Sequence, residues 1–146
     1  MKLFFSPLSP FARKVRVVAF EKTLAKELEL FKSERHNRPT ELGPINPLLK
    51  VPTLIDNNGN SLFDSPVISE YLDSLTPEPV LFPKEGMSRW AALRQQALGD
   101  GGMDDAVKLL STMVGTYNEK ALDLKLVPVK AKNSDGKDLK LILNEN

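Results

Sequence analysis

The sequence predicts an α/β fold for the N-terminal part of the chain, followed by a helical section and a strand-like tail. Three observations carry that reading. Short apolar runs at residues 2–5, 27–31 and 53–55 are interleaved with segments whose apolar residues recur at helical spacing. A polar turn, Asn57-Asn58-Gly59-Asn60, joins the third run to a return strand at 61–63 as a hairpin. From residue 88 onward the spacing is helical alone until the tail, where it changes to alternation.

Taken in order, residues 2–5 form a buried strand stopped by Ser6-Pro7. Ser9-Pro10 pairs a capping residue with proline at a helix start, and Phe11, Val15, Val18 and Ala19 then place one apolar face along the helix. Residues 27–31 alternate as a second strand. Residues 33–46 are polar and carry Pro39, Gly43 and Pro44, so they form a loop with at most a short helix. After the hairpin, Ser65-Pro66 repeats the cap-then-proline signature, and Val67, Ile68, Tyr71, Leu72 and Leu75 give the next helix its expected buried face. Parallel pairing at the start and a closing antiparallel hairpin follow from this order.

Pro77, Pro79 and Pro83 mark residues 76–83 as a linker. A helix from Ser88 has Trp90, Leu93 and Ala97 on one face, and Gly99-Asp100-Gly101-Gly102 is expected to weaken or kink it. Met103, Val107, Leu110 and Val114 resume the spacing. In the tail, Leu122, Leu124 and Leu126 alternate with polar residues, as do Leu139, Leu141 and Leu143 around Asn133-Ser134-Asp135-Gly136, which is a β-hairpin pattern. The expected organisation is a domain over residues 1–78, a partial helical domain over 84–118 and a tail over 119–146. An apolar hairpin face needs cover, so the tail is expected either to join a dimer interface or to be mobile.

Composition narrows the function. Twenty basic and 19 acidic side chains are interspersed to a net charge of +1, with no basic stripe for nucleic acid or an anionic membrane. No apolar run approaches the roughly 20 residues that span a bilayer, and the apolar start is broken too early by Ser6-Pro7 for a signal peptide, so a cytoplasmic protein is expected. The absence of cysteine excludes disulfides, a Cys-x-x-Cys pair, thiolate metal sites and a cysteine nucleophile. The single histidine, His36, lies in the polar loop and reads as a solvated residue; no metal site is expected.

The most informative segment is 46–72. Val51-Pro52 precedes an apolar strand, and X-Pro is the linkage at which a cis bond costs little. Such a bond would turn the Val51 backbone outward, its N–H and C=O open to a ligand. The helix start at Ser65-Pro66 adds open amides nearby. Two such devices point to a site for a small peptide-like anion.

These residues, together with Ser6-Pro7-Leu8-Ser9-Pro10-Phe11-Ala12-Arg13-Lys14, Asn46-Pro47, Phe63-Asp64-Ser65-Pro66-Val67-Ile68 and Asp100-Gly101 with Met103-Asp104, resemble the glutathione S-transferase family, in its serine-using bacterial members, over residues 1–118. The resemblance implies a thioredoxin-like N-terminal domain, an all-helical second domain that is shortened here, reduced glutathione as cosubstrate and a homodimer. It implies Ser9 as the catalytic residue, its hydroxyl stabilising the glutathione thiolate beside its capping role. It implies that the Val51 backbone pairs with the cysteinyl part of glutathione, that Ser65 holds the γ-glutamyl carboxylate and that Asp64 meets the adjacent ammonium. Lys50 either meets the glycyl carboxylate or stands solvated. Asp104 is a further candidate, reaching a ligand across a dimer interface, whereas Arg13 and Lys14 read as a solvated face. Three functions follow: transfer of glutathione to a small electrophile, glutathione-dependent isomerisation or peroxide reduction by the same thiolate, or a non-enzymatic binding or regulatory module that keeps the fold.

Overall fold

The structure, a computed structural model, describes residues 1–33, 40–116, 131–132 and 138–139. Two compact units are present, Met1–Leu109 and Leu110–Asn146. In the first, β1 (Lys2–Phe5), α1 (Pro10–Glu21), β2 (Glu29–Lys32), α2 (Leu42–Ile45), β3 (Thr53–Ile55), β4 (Ser61–Leu62) and α3 (Ser65–Ser74) follow one another; α4 (Gly86–Thr116) begins after the proline-rich connection. The sheet order is β2-β1-β3-β4, with β1 parallel to β2 and antiparallel to β3, and β3 antiparallel to β4. The parallel start and closing hairpin expected from the residues are thus present, as a thioredoxin-like mixed sheet followed by a helical part.

Strand alternation assigns the faces. Leu3 and Leu54 lie opposite each other on β1 and β3 and share a core with Val15 and Ala19 of α1 and Ile68 and Leu72 of α3. α1 and α3 therefore cover one face, and burying each large aliphatic side chain there contributes about 1.5–3 kcal/mol. Phe4 and Thr53 alternate to the other face, both fully buried.

Several local expectations are corrected. β2 runs over Glu29–Lys32 rather than 27–31, because Ala25–Glu27 close a 3-10 turn first. α3 buries Ile68 and Leu72 but leaves Val67, and Leu75 just past its end, nearly half exposed, since a ten-residue helix on a sheet buries a narrower stripe than the five apolar residues of the sequence offered. α4 starts at Gly86 and passes through Gly99, Gly101 and Gly102 without a break. Trp90 is 63% exposed and Ala97 is also exposed, while Leu93 is partly buried, so among the described residues that face is only partly covered. In the second unit, Ala131–Lys132 pairs antiparallel with Asp138–Leu139 across the predicted turn; the rest of the expected hairpin and His36 lie outside the described residues.

The proline-rich connection is held by a contact with no sequence signature. Lys22, at the end of α1, is fully buried and pairs with Asp73 of α3 at 2.9 Å. Its Nζ also donates to the carbonyls of Thr76 (2.8 Å) and Pro79 (2.6 Å), while Asp73 accepts from the amides of Leu81 (3.0 Å) and Phe82 (2.9 Å). Burial pushes the Asp73 carboxyl upward, but the hydrogen bond from Lys22, those two amides and the Lys22 charge more than offset it, leaving Asp73 below the usual carboxylate range.

Candidate functional site

Four segments of the first unit converge on one cleft of about 290 Å³: the start of α1, the loop before β3, the start of α3 and the middle of α4. Lys50 and Val51 line it from the loop, Asp64 and Ser65 from the start of α3, and Asp100 and Asp104 from α4. Phe11, two residues after Ser9, adds an apolar wall.

The loop owes its shape to proline and asparagine. The Val51–Pro52 peptide is cis, as the sequence suggests; the Phe63–Asp64 and Glu78–Pro79 peptides are cis as well. Asn46, 1% exposed, donates its side-chain amide to the Lys50 carbonyl (3.0 Å) and to Thr53 Oγ1 (2.8 Å) and accepts from the Leu48 amide (2.9 Å). Leu49, in the left-handed region at φ 52°, is held by its amide's bond to the Asn46 carbonyl at 2.9 Å.

At α3 the cap falls one residue earlier than expected. Asp64 is the N-cap in extended conformation, and its carbonyl accepts from the Ile68 amide at 3.0 Å; Ser65 is the first helical residue and Pro66 the second. The Asp64 side chain makes no capping bond and is exposed, leaving the carboxylate available at the cleft. Ser65 is 1% exposed, and its amide, at the first helical position, has no intrahelical acceptor. An anion placed there meets open N–H groups and the positive end of the helix.

Ser9 occupies its capping role. Its Oγ accepts from the Ala12 amide at 3.2 Å, with its backbone in extended conformation. It is half-buried, and the cleft wall is formed by Phe11 rather than by Ser9 itself. Lys14, expected as a solvated residue, is corrected: its Nζ makes bonds of 2.8 and 2.9 Å to both carboxylate oxygens of Asp100, each partner less than a fifth exposed. The reason is reach, since the middle of α4 approaches this side of α1, which no local spacing discloses. Asp104 lies one turn further along α4, on the face of Asp100, and makes no ion pair among the described residues. Arg13 is exposed, as expected.

The fold brings Lys50, Val51, Asp64 and Ser65, the four binding residues expected from the sequence, to one cleft; Asp104, expected to reach a ligand across a dimer interface, lines that same cleft within one chain. The sequence reading missed Asn46 as a side chain, although asparagine before proline and a tight loop is a recognisable turn signal. It also missed Asp100 as a wall residue held by α1.

Residues 8–75 match the family profile for the glutathione S-transferase N-terminal domain. A curated relative, the uncharacterised glutathione-transferase-like protein YibF of Escherichia coli, is 35% identical over 104 residues, covering 71% of this chain and 50% of its own. A stringent starvation protein A homolog of Histophilus somni is 33% identical over 129 residues, 86% of this chain and 57% of its own. The chain thus spans about half the length of these relatives. Among solved structures, a glutathione transferase family member from Pseudomonas fluorescens with bound glutathione matches with a TM-score of 0.73 at 36% identity, covering 83% of this chain and 60% of that one. A glutathione S-transferase from Methylobacillus flagellatus, also with glutathione bound, matches with a TM-score of 0.68 at 42% identity, covering 81% and 56%. With the sheet order, the helix placement and the profile match in agreement, the chain belongs to the glutathione S-transferase family.

Proposed function

We propose that this chain binds reduced glutathione in the cleft and transfers its thiol to a small electrophile. The observation that carries the reading is the convergence of Lys50, Val51, Asp64 and Ser65 on one cleft. Glutathione is a peptide with two carboxylates and one ammonium, and the cleft offers a complement to each. Ser65, at the N-terminus of α3, takes the γ-glutamyl carboxylate; Asp64, with Asp104 lining the same cleft, takes the ammonium. Val51 pairs through its backbone with the cysteinyl part, as a strand-like ligand pairs with a sheet edge. Lys50 meets the glycyl carboxylate.

Ser9 stabilises the thiolate. Its oxygen already accepts from the Ala12 amide, so its proton is left to donate. A thiol with an ordinary pKa near 8.5 is only a few per cent ionised at neutral pH. A charge-assisted hydrogen bond of about 1.5–3 kcal/mol and a helix N-terminus of about 0.3–1 kcal/mol lower that pKa by roughly 1–3 units. The thiolate then attacks the electrophilic carbon and expels the leaving group, and the thiol proton goes to solvent. A second copy of the chain covering the exposed Met87, Trp90 and Leu98 of α4 completes the proposal as a homodimer. A cytoplasmic location is part of the same proposal. Among the described residues, no helix is long and apolar enough to cross a membrane.

A second reading, a non-enzymatic glutathione-binding or regulatory module, is favoured by two observations. Ser9 stands outside the cleft lining, and several curated relatives carry the name stringent starvation protein A homolog. Turnover of a generic aryl halide with glutathione decides between the two. Conjugation above the uncatalysed rate supports the transferase; glutathione binding without turnover in the folded protein supports the module.

A further inference from the structure

The two side chains that hold the loop before β3 are not themselves ligand groups in the reading above, yet they determine where its central group points. Asn46 and Thr53 are 1% and 0% exposed. Asn46 donates to the Lys50 carbonyl at 3.0 Å and to Thr53 Oγ1 at 2.8 Å; Thr53 Oγ1 donates in turn to the same carbonyl at 2.8 Å. The three groups close a triangle in which the Thr53 hydroxyl accepts once and donates once. Thr53 is anchored in the sheet, paired with Phe4 of the central strand β1.

The Lys50 carbonyl and the Val51 N–H belong to one peptide plane. Resonance keeps that plane flat, and in a trans unit the C=O and N–H point in opposite directions. Two hydrogen bonds that draw the Lys50 oxygen inward therefore aim the Val51 N–H outward. Val51 lines the cleft, and its amide and carbonyl make no hydrogen bond to another described residue. An open backbone pair beside a ligand cleft is costly to hold still unless the segment around it is over-determined. Here the over-determination is visible: Asn46 uses its side-chain amide, its side-chain oxygen and its backbone carbonyl on this one loop, while its own N–H bonds back to the Leu42 carbonyl of α2 at 2.9 Å.

We propose that Asn46 and Thr53 are positioning residues that pre-orient the Val51 backbone amide for a peptide ligand, so that glutathione affinity depends on two buried side chains, Asn46 at the wall of the cleft and Thr53 behind it, outside its lining. This rests on the reading that the cleft binds glutathione. Pre-orientation removes the ordering cost from the binding step, and its loss appears as weaker binding rather than as a lost contact.

The test is calorimetric titration of reduced glutathione into the full chain and its variants, each first shown by circular dichroism to be folded at the assay temperature. Asn46→Ala and Thr53→Val, the latter nearly the same shape without the hydroxyl, are expected to raise the glutathione Kd about ten-fold, the equivalent of one lost hydrogen bond. Thr53→Ser, which keeps the hydroxyl, stays within about two-fold of the parent on the same ground. Leu24→Val, a core change outside the cleft, lowers the melting temperature but leaves the Kd unchanged. If Asn46→Ala does not fold, Thr53→Val against Thr53→Ser carries the comparison alone. A folded Thr53→Val that binds like the parent overturns the proposal, as does a Kd in Leu24→Val raised as much as in Thr53→Val. A parent chain that binds no glutathione overturns the underlying reading instead.

Discussion

Ser9 combines two jobs that a single atom can hold only because they use different ends of the hydroxyl. The oxygen caps α1 by accepting from Ala12, and the proton is left for a thiolate. Substitutions separate the jobs. Ser9→Ala removes both: it should cost about 1 kcal/mol of stability as a lost cap and lower turnover roughly 10- to 100-fold, with little change in glutathione affinity. Ser9→Asp keeps an acceptor for the Ala12 amide but has no proton to donate, so its melting temperature should stay near the parent's while turnover falls as far as in Ser9→Ala. Parallel melting curves and initial rates check both. Turnover in Ser9→Ala equal to the parent's would remove Ser9 from the chemistry and leave only its cap.

At the scale of the element, α4 runs through three glycines where the residue spacing predicts a weak point. Intrinsic propensity is a prior of about 1 kcal/mol per glycine relative to alanine, and a 31-residue helix has enough flanking turns to carry such a loss. A Cβ added at Gly99, Gly101 or Gly102 meets nothing within 4 Å. Nor does any of these glycines need a positive φ, unlike Gly59 in the hairpin turn. Gly101→Ala is therefore expected to stabilise the chain by about 0.4–1 kcal/mol, by reducing the freedom of the unfolded backbone and favouring the helix. Chemical denaturation, with a higher midpoint at unchanged slope, is the expected result; a lower midpoint would show that something seats against that glycine.

At the scale of the whole first unit, the Lys22–Asp73 pair ties the end of α1 to α3 and to the connection that leads into α4. A fully buried lysine is tolerated because each of its bonds ends on an oxygen that is itself in need of a donor. Lys22→Met should cost about 3–5 kcal/mol, since it leaves Asp73 buried without its cation. The pH dependence has a definite sign. Asp73 is depressed below its ordinary 3.8 in the folded state, so its contribution is fully present above that value and is lost as pH falls through the folded pKa. Asp56 adds in the same direction, held low first by the Asn60 side chain and then by amides of the hairpin turn. Acid unfolding of the parent should thus set in below about pH 4. Asp73→Asn, already destabilised at neutral pH, should show a shallower loss over that window.

What the residues determined without the fold is local in origin. Cap-then-proline signatures, apolar spacing and the Asn57-Asn58-Gly59-Asn60 turn act between near neighbours, so they disclosed α1, β3, the hairpin and the start of α3, the last to within one residue. The same holds for Lys50, Val51, Asp64 and Ser65, which fall on two short motifs. Tertiary structure decided what depends on reach. Lys14 turns from a solvated cation into the partner of Asp100, 86 residues away, and Lys22 finds Asp73 and two carbonyls of the proline-rich connection. It also decided that α4 continues through its glycines while its Trp90 face is only partly covered among the described residues. The physical reason is that a buried charge has no local preference for its partner. Its burial is worth having only once the packing of two helices has removed water and brought the opposite charge within hydrogen-bond distance.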